Sequence, residues 1–262
     1  MCGRYILVQQ VETLEKRFNA VFDTPELYEP GYNIGPGKMA PVITNEQPDK
    51  IQLMRFGLTP FWAKKPMYLI NARTEGDNNK ENNPDYKGGK GIAQKPAFRK
   101  PIRSQRCLVP ADAFIEGTTE ERLSKPFVVY LKEKVRPFSF AGIWDTWQDP
   151  DSGVLTHSFA IITTVANLLM QQLPHHRSPV ILAPHQEGKW LRNQAPLADV
   201  LRLLKPYNSE QMNAYPIAPT IKNPKTEGKE LLTPTGERIF PEKAFSISKD
   251  LRLKGMGNPR KR

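Results

Sequence analysis

The sequence predicts an α+β fold, a single β-rich domain of mixed strands with short peripheral helices. Five strand-like runs, at 40–44, 51–56, 127–131, 138–144 and 158–164, are rich in β-branched and aromatic residues, and turn-forming residues mark most of their ends. The helical patterns between them are short. Strands scattered in this way, without a regular strand–helix alternation, argue against a doubly wound parallel sheet.

In chain order, Val11, Leu14, Glu15 and Phe18 recur at helical spacing and predict a short amphipathic helix over 10–20. The runs 40–44 and 51–56 end at Asn45 and Gly57. Asn71, Arg73 and Glu75 alternate at a strand end, a spacing that points all three the same way. The stretch 75–93 is polar, rich in Asn and Gly and almost without apolar residues, so 76–93 reads as a mobile surface loop. An apolar strand in CLVPADAFIEG runs into Glu116 and Gly117. After the strands at 127–131, 138–144 and 158–164, a helix over 166–173 stops at Pro174, a short strand follows at 180–182, and helices at 188–194 and 197–204. From about Pro219 the chain is Pro- and Lys-rich, and its last dozen residues, ending in KGMGNPRKR, read as a disordered basic tail. The organisation expected is one domain over 1–225 and an extension over 226–262.

Lys and Arg number 38 against 27 Asp and Glu in 262 residues, a net charge of +11. Such an excess suits a polyanionic partner, because phosphate contacts release counterions, and it equally suits a basic protein with no nucleic-acid role. No stretch approaches the roughly 18–20 apolar residues that span a bilayer, and the first residues lack a secretory pattern, so no membrane association is expected. Two cysteines, Cys2 and Cys107, are too few for a disulfide scaffold. A reducing, cytoplasmic location is the expectation.

Cys2 carries the most distinctive chemistry. Removal of Met1 leaves a 1,2-aminothiol, whose amine has a reference pKa of about 7.7–8.0 and whose thiol one of about 8.5. The amine can attack a carbonyl to give a Schiff base, and the adjacent thiol can close on the imine carbon as a five-membered thiazolidine. The plain alternative is a small residue that follows the start codon. Glu116, at the end of a buried strand, is either a general acid/base with a raised pKa or an acid facing water. His175 and His176 lie between a helix stop and a strand, with Arg177 next; they are placed for proton transfer or are plain loop histidines. Asn71, Arg73 and Glu75 are a functional cluster or a surface salt bridge. Trp62 and Phe61 offer a platform for a base, with core packing the expectation for Phe61. Cys107 reads as a buried structural thiol. Four histidines without HExxH or CxxC make a metal site a poor fit, and no cofactor is expected.

The ordered segments MCGRY, YNIGPG, MRFGLTPFWA, INARTE, QKPAFR, RCLVPADAFIEG, FAGIWD, FAIITTVAN and HHRSPVIL closely resemble the SRAP (SOS-response-associated peptidase) family of abasic-site processing proteins, over roughly residues 1–225. The resemblance implies a domain whose strands enclose the active site. It implies Cys2 as the nucleophile that crosslinks to abasic sites in single-stranded DNA, with Asn71 orienting its amine and Glu116 handling protons. His175 would promote sugar opening or reversal of the adduct. Arg4, Asn33, Trp62, Arg73, Thr164 and Arg177 would line the DNA groove. An enzyme of lyase-like chemistry with autopeptidase activity follows, acting as a monomer and nucleoid-associated when bound to DNA.

Three departures stand out: His176, Arg177 and Ser178 where the family usually has Asp, Arg and Met; Gly117 where it usually has Trp; and a longer loop after Glu75. Two other classes remain open. An N-terminal-nucleophile amidotransferase or hydrolase also begins Met-Cys-Gly, but its glutamine-binding motifs are missing here. A non-catalytic single-strand binder would use charge and aromatics alone.

Overall fold

A computed structural model describes residues 3–132 and 136–242. Cys2, Met1 and the basic tail from 243 onward lie outside the described residues. The strands are β1 (Arg4–Leu7), β2 (Val21–Phe22), β3 (Gly31–Ile34), β4 (Met39–Thr44), β5 (Lys50–Phe56), β6 (Asn71–Arg73), β7 (Arg106–Ala111), β8 (Ala113–Thr118), β9 (Arg122–Leu131), β10 (Phe138–Gln148), β11 (Leu155–Val165), β12 (Arg177–Pro179), β13 (Ile181–Leu182) and β14 (Met212–Pro216). The helices are α1 (Val11–Phe18), α2 (Pro101–Ser104), α3 (Leu168–Gln172), α4 (Pro184–Leu191) and α5 (Leu197–Arg202).

Two sheets result. One runs β14-β9-β8-β1-β3. The other runs β12-β11-β10-β7-β4-β5-β2 and closes on itself, because β5 also pairs in parallel with β11 through Arg55–Ser158 and Phe56–Phe159. Closure through β11-β10-β7-β4-β5 removes the unpaired edges that an open sheet would expose. The sheets are mixed: β2 on β5 and β6 on β11 are also parallel. The β-rich α+β architecture expected from the sequence is the one found.

Apolar alternation makes this possible. Tyr5, Phe56, Phe114, Phe140 and Phe159 are fully buried, and Phe56 stacks on Phe159 with centroids 5.2 Å apart. Tyr5 and Phe114 meet Phe140 edge-on at 6.0 and 5.9 Å, so rings from β1, β8, β10, β5 and β11 form one core. Such pairs add about 0.5–1.5 kcal/mol each beyond area burial. Arg106 is also fully buried, and it donates to the carbonyls of Trp190 and Arg192, which ties α4 to β7.

Several boundaries differ from the sequence reading. The helix expected at 188–194 starts earlier, at Pro184, because proline is compatible with a first helical turn, and Gln186 Oε1 accepts the Ala183 N–H. The 76–93 stretch is a series of turns. Asn79 is buried and bonds the Asn83 N–H and carbonyl, while Ile92 is buried and donates its N–H to Thr74 O. Beyond 225, Leu231 and Leu232 are buried, and Glu242 bonds Tyr130 and Asn213. Residues 226–242 therefore pack onto the same core as the strands.

Gly117 is fixed by the hairpin that joins β8 to β9. A Cβ there would lie 1.8 Å from the carbonyl oxygen of Arg122, a backbone atom that cannot move aside without breaking the pairing. Gly117→Ala is expected to lower stability by at least about 1–3 kcal/mol, the usual range for overpacking. Urea denaturation of the two proteins measures this; equal midpoints would contradict it.

Candidate active site

The register of β1 on β8 builds the site. Arg4 lies across from Ile115, Tyr5 from Phe114 and Ile6 from Ala113. Extending that antiparallel register by one residue brings Gly3 opposite Glu116. Gly3, Arg4, Glu116, Gly117, Thr119, His175 and His176 accordingly line one cavity of about 870 Å3. The β8–β9 hairpin forms much of its wall through Thr118, Glu121, Arg122 and Leu123.

Glu116 is buried, and burial raises its carboxyl pKa above the ordinary value. His175 is also buried, which lowers its pKa from 6.5 to about 4. Its Nε2 lies 3.4 Å from Glu116 Oε1. Its Nδ1 lies 2.9 Å from the Arg177 carbonyl and 3.3 Å from the Arg177 backbone N, so the residue-177 backbone fixes the ring with Nε2 facing Glu116. A protonated Glu116 beside a neutral His175 is the arrangement both shifts favour. The ring of His176 stacks on His175 with centroids 5.0 Å apart, and its Nδ1 meets Thr119 Oγ1 at 2.9 Å. Burial lowers the His176 pKa to about 4 as well.

Arg4 reaches the cavity from β1, held by Asn33 Oδ1 at 2.6 Å and the Lys222 carbonyl at 3.0 Å. Asn33 itself is fully buried, and its amide donates to the carbonyls of Ile221, Asn223 and Thr226. It therefore binds the 221–226 segment to β3 and aims Arg4, so it lies beneath the groove surface rather than in it. Asn71, at the start of β6, donates to Ile161 O at 3.4 Å, and the preceding Ile70 lines the cavity.

A second polar group lies on the far side of the histidines. Arg177 and Glu75 are both buried and form an ion pair at 2.8 Å. Burial alone would raise the Glu75 carboxyl, but the hydrogen bond and charge of Arg177 hold it below its ordinary value. Arg177 Nη2 also reaches Thr163 Oγ1 at 3.2 Å, while its Nε and Nη1 have no protein partner among the described residues. Thr164 is buried with its hydroxyl likewise unpartnered. Arg73 donates to Asn79 O at 2.6 Å. Of the expected groove residues, Arg177 and Thr164 are buried, Arg73 is partly buried and Trp62 is exposed.

Trp62 and Phe61 are 47% and 52% exposed, with Lys100 Nζ 4.6 Å from the Phe61 ring centroid. Core packing of Phe61 is thus corrected: the Phe61 N–H is anchored on Asp145 Oδ2, and the ring projects outward. Cys107 is fully buried as expected, and burial pushes its thiol pKa up. Sequence reasoning missed the contact of Thr119 with His176 and the part played by Lys222, since both depend on loops brought together by the sheets. Among the described residues no group of three His, Cys, Asp or Glu is arranged to hold a metal, and no helix is long and apolar enough to cross a membrane.

Comparison with known proteins follows the same lines. The abasic site processing protein YoqW of Bacillus subtilis (strain 168) is 34% identical over 88% of this chain and 99% of its own length. The abasic site processing protein HMCES of Gallus gallus is 25% identical over 90% of this chain and 76% of its own. A crystal structure of a protein from Bacteroides thetaiotaomicron superposes with a TM-score of 0.70 at 29% identity, covering 82% of this chain and 92% of that one. Residues 1–224 match the family described as SOS response associated peptidase (SRAP), and the chain belongs to that family.

Proposed function

We propose that this protein processes abasic sites in single-stranded DNA by crosslinking to them through Cys2 once Met1 has been removed. The observation that carries the reading is the buried Glu116–His175 pair in a cavity whose wall begins at Gly3. One peptide unit, about 3.8 Å between Cα atoms, separates residue 2 from Gly3, so its aminothiol has this cavity within reach. Relatives named as abasic site processing proteins support the choice of substrate. The net charge of +11 and the exposed Trp62 and Phe61 support a polyanion with accessible bases.

The free α-amine adds to the sugar aldehyde and forms a carbinolamine. Glu116 delivers a proton to its hydroxyl, which leaves as water, and the iminium so formed returns its N–H proton to the Glu116 carboxylate to give the imine. The Cys2 sulfur then attacks the imine carbon, and the thiol proton passes to the nitrogen, closing the thiazolidine. Overall, aldehyde and aminothiol yield the ring and one water. His175, with Nε2 3.4 Å from Glu116 Oε1, holds the carboxyl toward the reacting atoms. Asn71 orients the amine, and Arg4, with Asn33 behind it, faces the strand. Arg73, Arg177 and Thr164 contribute to holding the strand beside the histidines.

Glu116→Gln is expected to slow adduct formation by about 10²–10⁴-fold with little change in DNA affinity. Denaturing electrophoresis after incubation with an abasic single strand measures the rate. A wild-type rate would remove Glu116 from the reaction.

The Cys2 series tests the aminothiol. Adduct durability should fall from mature wild type to Cys2→Ser, which closes a more labile oxazolidine, then Cys2→Ala, limited to an open imine. A chain that retains Met1 should rank lowest, because its residue-2 nitrogen is an amide. Mass spectrometry identifies the N-terminus of each sample. A heat-stable adduct on a Met1-bearing chain would overturn the ring mechanism.

Stability should report the protonation states. His175 titrates at about 4 in the fold against 6.5 ordinarily, so the unfolded chain binds more protons between those values. Stability therefore falls as pH drops from 6.5 toward 4, and His175→Asn should reduce that loss. The raised Glu116 carboxyl acts oppositely, gaining stability as pH falls, so Glu116→Gln should steepen the loss. Urea midpoints at pH 7 and 4.5 decide both; identical shifts in all three proteins would refute the assignment.

A further inference from the structure

A cation that the reaction described above does not use lines the main cavity beside Arg4. Lys222 ends a single 3-10 turn, Pro219–Lys222, and its carbonyl accepts Arg4 Nη2 at 3.0 Å across 218 positions of chain. β3 fixes the backbone on either side of it. Ile221 is fully buried, the Asn33 amide donates to the carbonyls of Ile221, Asn223 and Thr226, and Glu227 Oε2 accepts the Tyr32 N–H at 3.1 Å. Lys222 itself is exposed. We propose that Lys222 is a strand-binding residue which, with Arg4, holds a backbone phosphate beside the abasic sugar; the inference rests on the single-stranded substrate of the preceding reading.

Unmatched charge carries the assignment. Glu121, which lines the same cavity, is ion-paired with Lys125 at 2.7 Å, and Glu227, on the Lys222 segment, with Lys38. Glu116, the other acid of the cavity, is raised by burial toward its neutral form. Lys222 and Arg4 form no ion pair among the described residues. Two cations joined through one backbone hydrogen bond, with no carboxylate to match them, leave a positive potential that an anion relieves. A DNA strand brings that anion, because a phosphate flanks the abasic sugar on each side. Arg4 commits Nη1 to Asn33 and Nη2 to Lys222 and has further N–H groups to donate. The lysine ammonium adds a point charge on a long stem, and since its backbone is already held, only side-chain freedom is lost on binding.

Lys222→Met removes the charge and keeps the carbonyl that holds Arg4. Lys225 lies three residues further on, is exposed and does not line the cavity. Lys225→Met therefore takes the same charge from the net +11 without touching the proposed contact.

The test is equilibrium binding by fluorescence anisotropy over about 50–200 mM salt, a range in which phosphate contacts are strongly salt-dependent. The probe is a single strand with one tetrahydrofuran abasic analogue. The analogue has no aldehyde, so the readout does not depend on adduct formation. Each phosphate contact to a single strand contributes about 0.7 to the slope of log affinity against log salt. Lys222→Met should lower that slope by about 0.7 and weaken binding at the lowest salt by roughly two- to fivefold, the worth of one exposed ion pair. Lys222→Arg should restore both, and Lys225→Met should keep the wild-type slope. An unchanged slope in Lys222→Met, or an equal fall in Lys225→Met, would overturn the inference. The expected fall, together with no adduct from mature wild type on true abasic DNA, would instead refute the proposed reaction and leave the Lys222 contact standing.

Discussion

The antiparallel pairing of β1 with β8 is the constraint on which the site depends. It commits the beginning of the chain to the edge of a buried strand, and its register brings Gly3 level with Glu116. β8 is held on its other side by β9, with Glu116 across from Phe127, so the backbone that carries the carboxyl is fixed in a three-strand ladder. Burial then does the chemical work. It raises Glu116 and lowers His175, so that two groups 3.4 Å apart, both of which would be charged in solvent at pH 5–6, each shift toward the neutral form. On the proposed reading, a carboxyl raised by burial is a favourable proton donor for loss of water from the carbinolamine.

Polar groups hold the framework around this pairing. Asn33 satisfies three carbonyls of the 221–226 segment and positions the Arg4 guanidinium with its remaining oxygen. A buried amide that left those carbonyls unpaired would cost about 1–3 kcal/mol per group, so the segment and β3 are strongly coupled. Lys222 contributes its carbonyl to Arg4 and lines the main cavity. The floor of the cavity is thus assembled from the first strand, the third strand and a segment more than 200 residues away along the chain, where Arg4 meets Lys222.

Much of the fold was legible in the sequence because apolar runs report burial directly. The runs at 40–44, 51–56, 138–144 and 158–164 fall within β4, β5, β10 and β11, four of the five strands through which the sheet closes. β1, β3, β6 and β14 are three to five residues long, too short for a period to establish itself. Their existence is decided by partners elsewhere in the chain. Within the site, Glu116 was legible as a strand-end acid and His175 as a histidine between elements. Their meeting was not, because it is a tertiary contact across 59 positions. Phe61 was misread for a related reason: its ring is apolar, yet Asp145 fixes its backbone so that the side chain faces outward. Gly117, a departure from the family pattern, has a local cause in the carbonyl of Arg122.

The Arg177–Glu75 pair gives the far side of the site its character. A buried ion pair is weak evidence for stability, since desolvation of both partners offsets most of their attraction. Here the balance of charge matters more. The Glu75 carboxylate interacts with both Arg177 and Lys90, and Arg73 stands close enough to Arg177 to depress it further. One carboxylate therefore serves several cations, and a net positive potential remains beside the histidine pair. That potential disfavours protonation of His175 and His176, whose pKa values Arg177 also helps to lower. The charges that attract an anionic strand thus add to burial, the larger cause, in keeping the imidazoles neutral, while burial raises Glu116 against the lowering effect of nearby positive charge. On the proposed reading, binding and proton transfer draw on opposed effects at this site: positive charge attracts the strand, while burial, against that charge, keeps the single acid Glu116 raised.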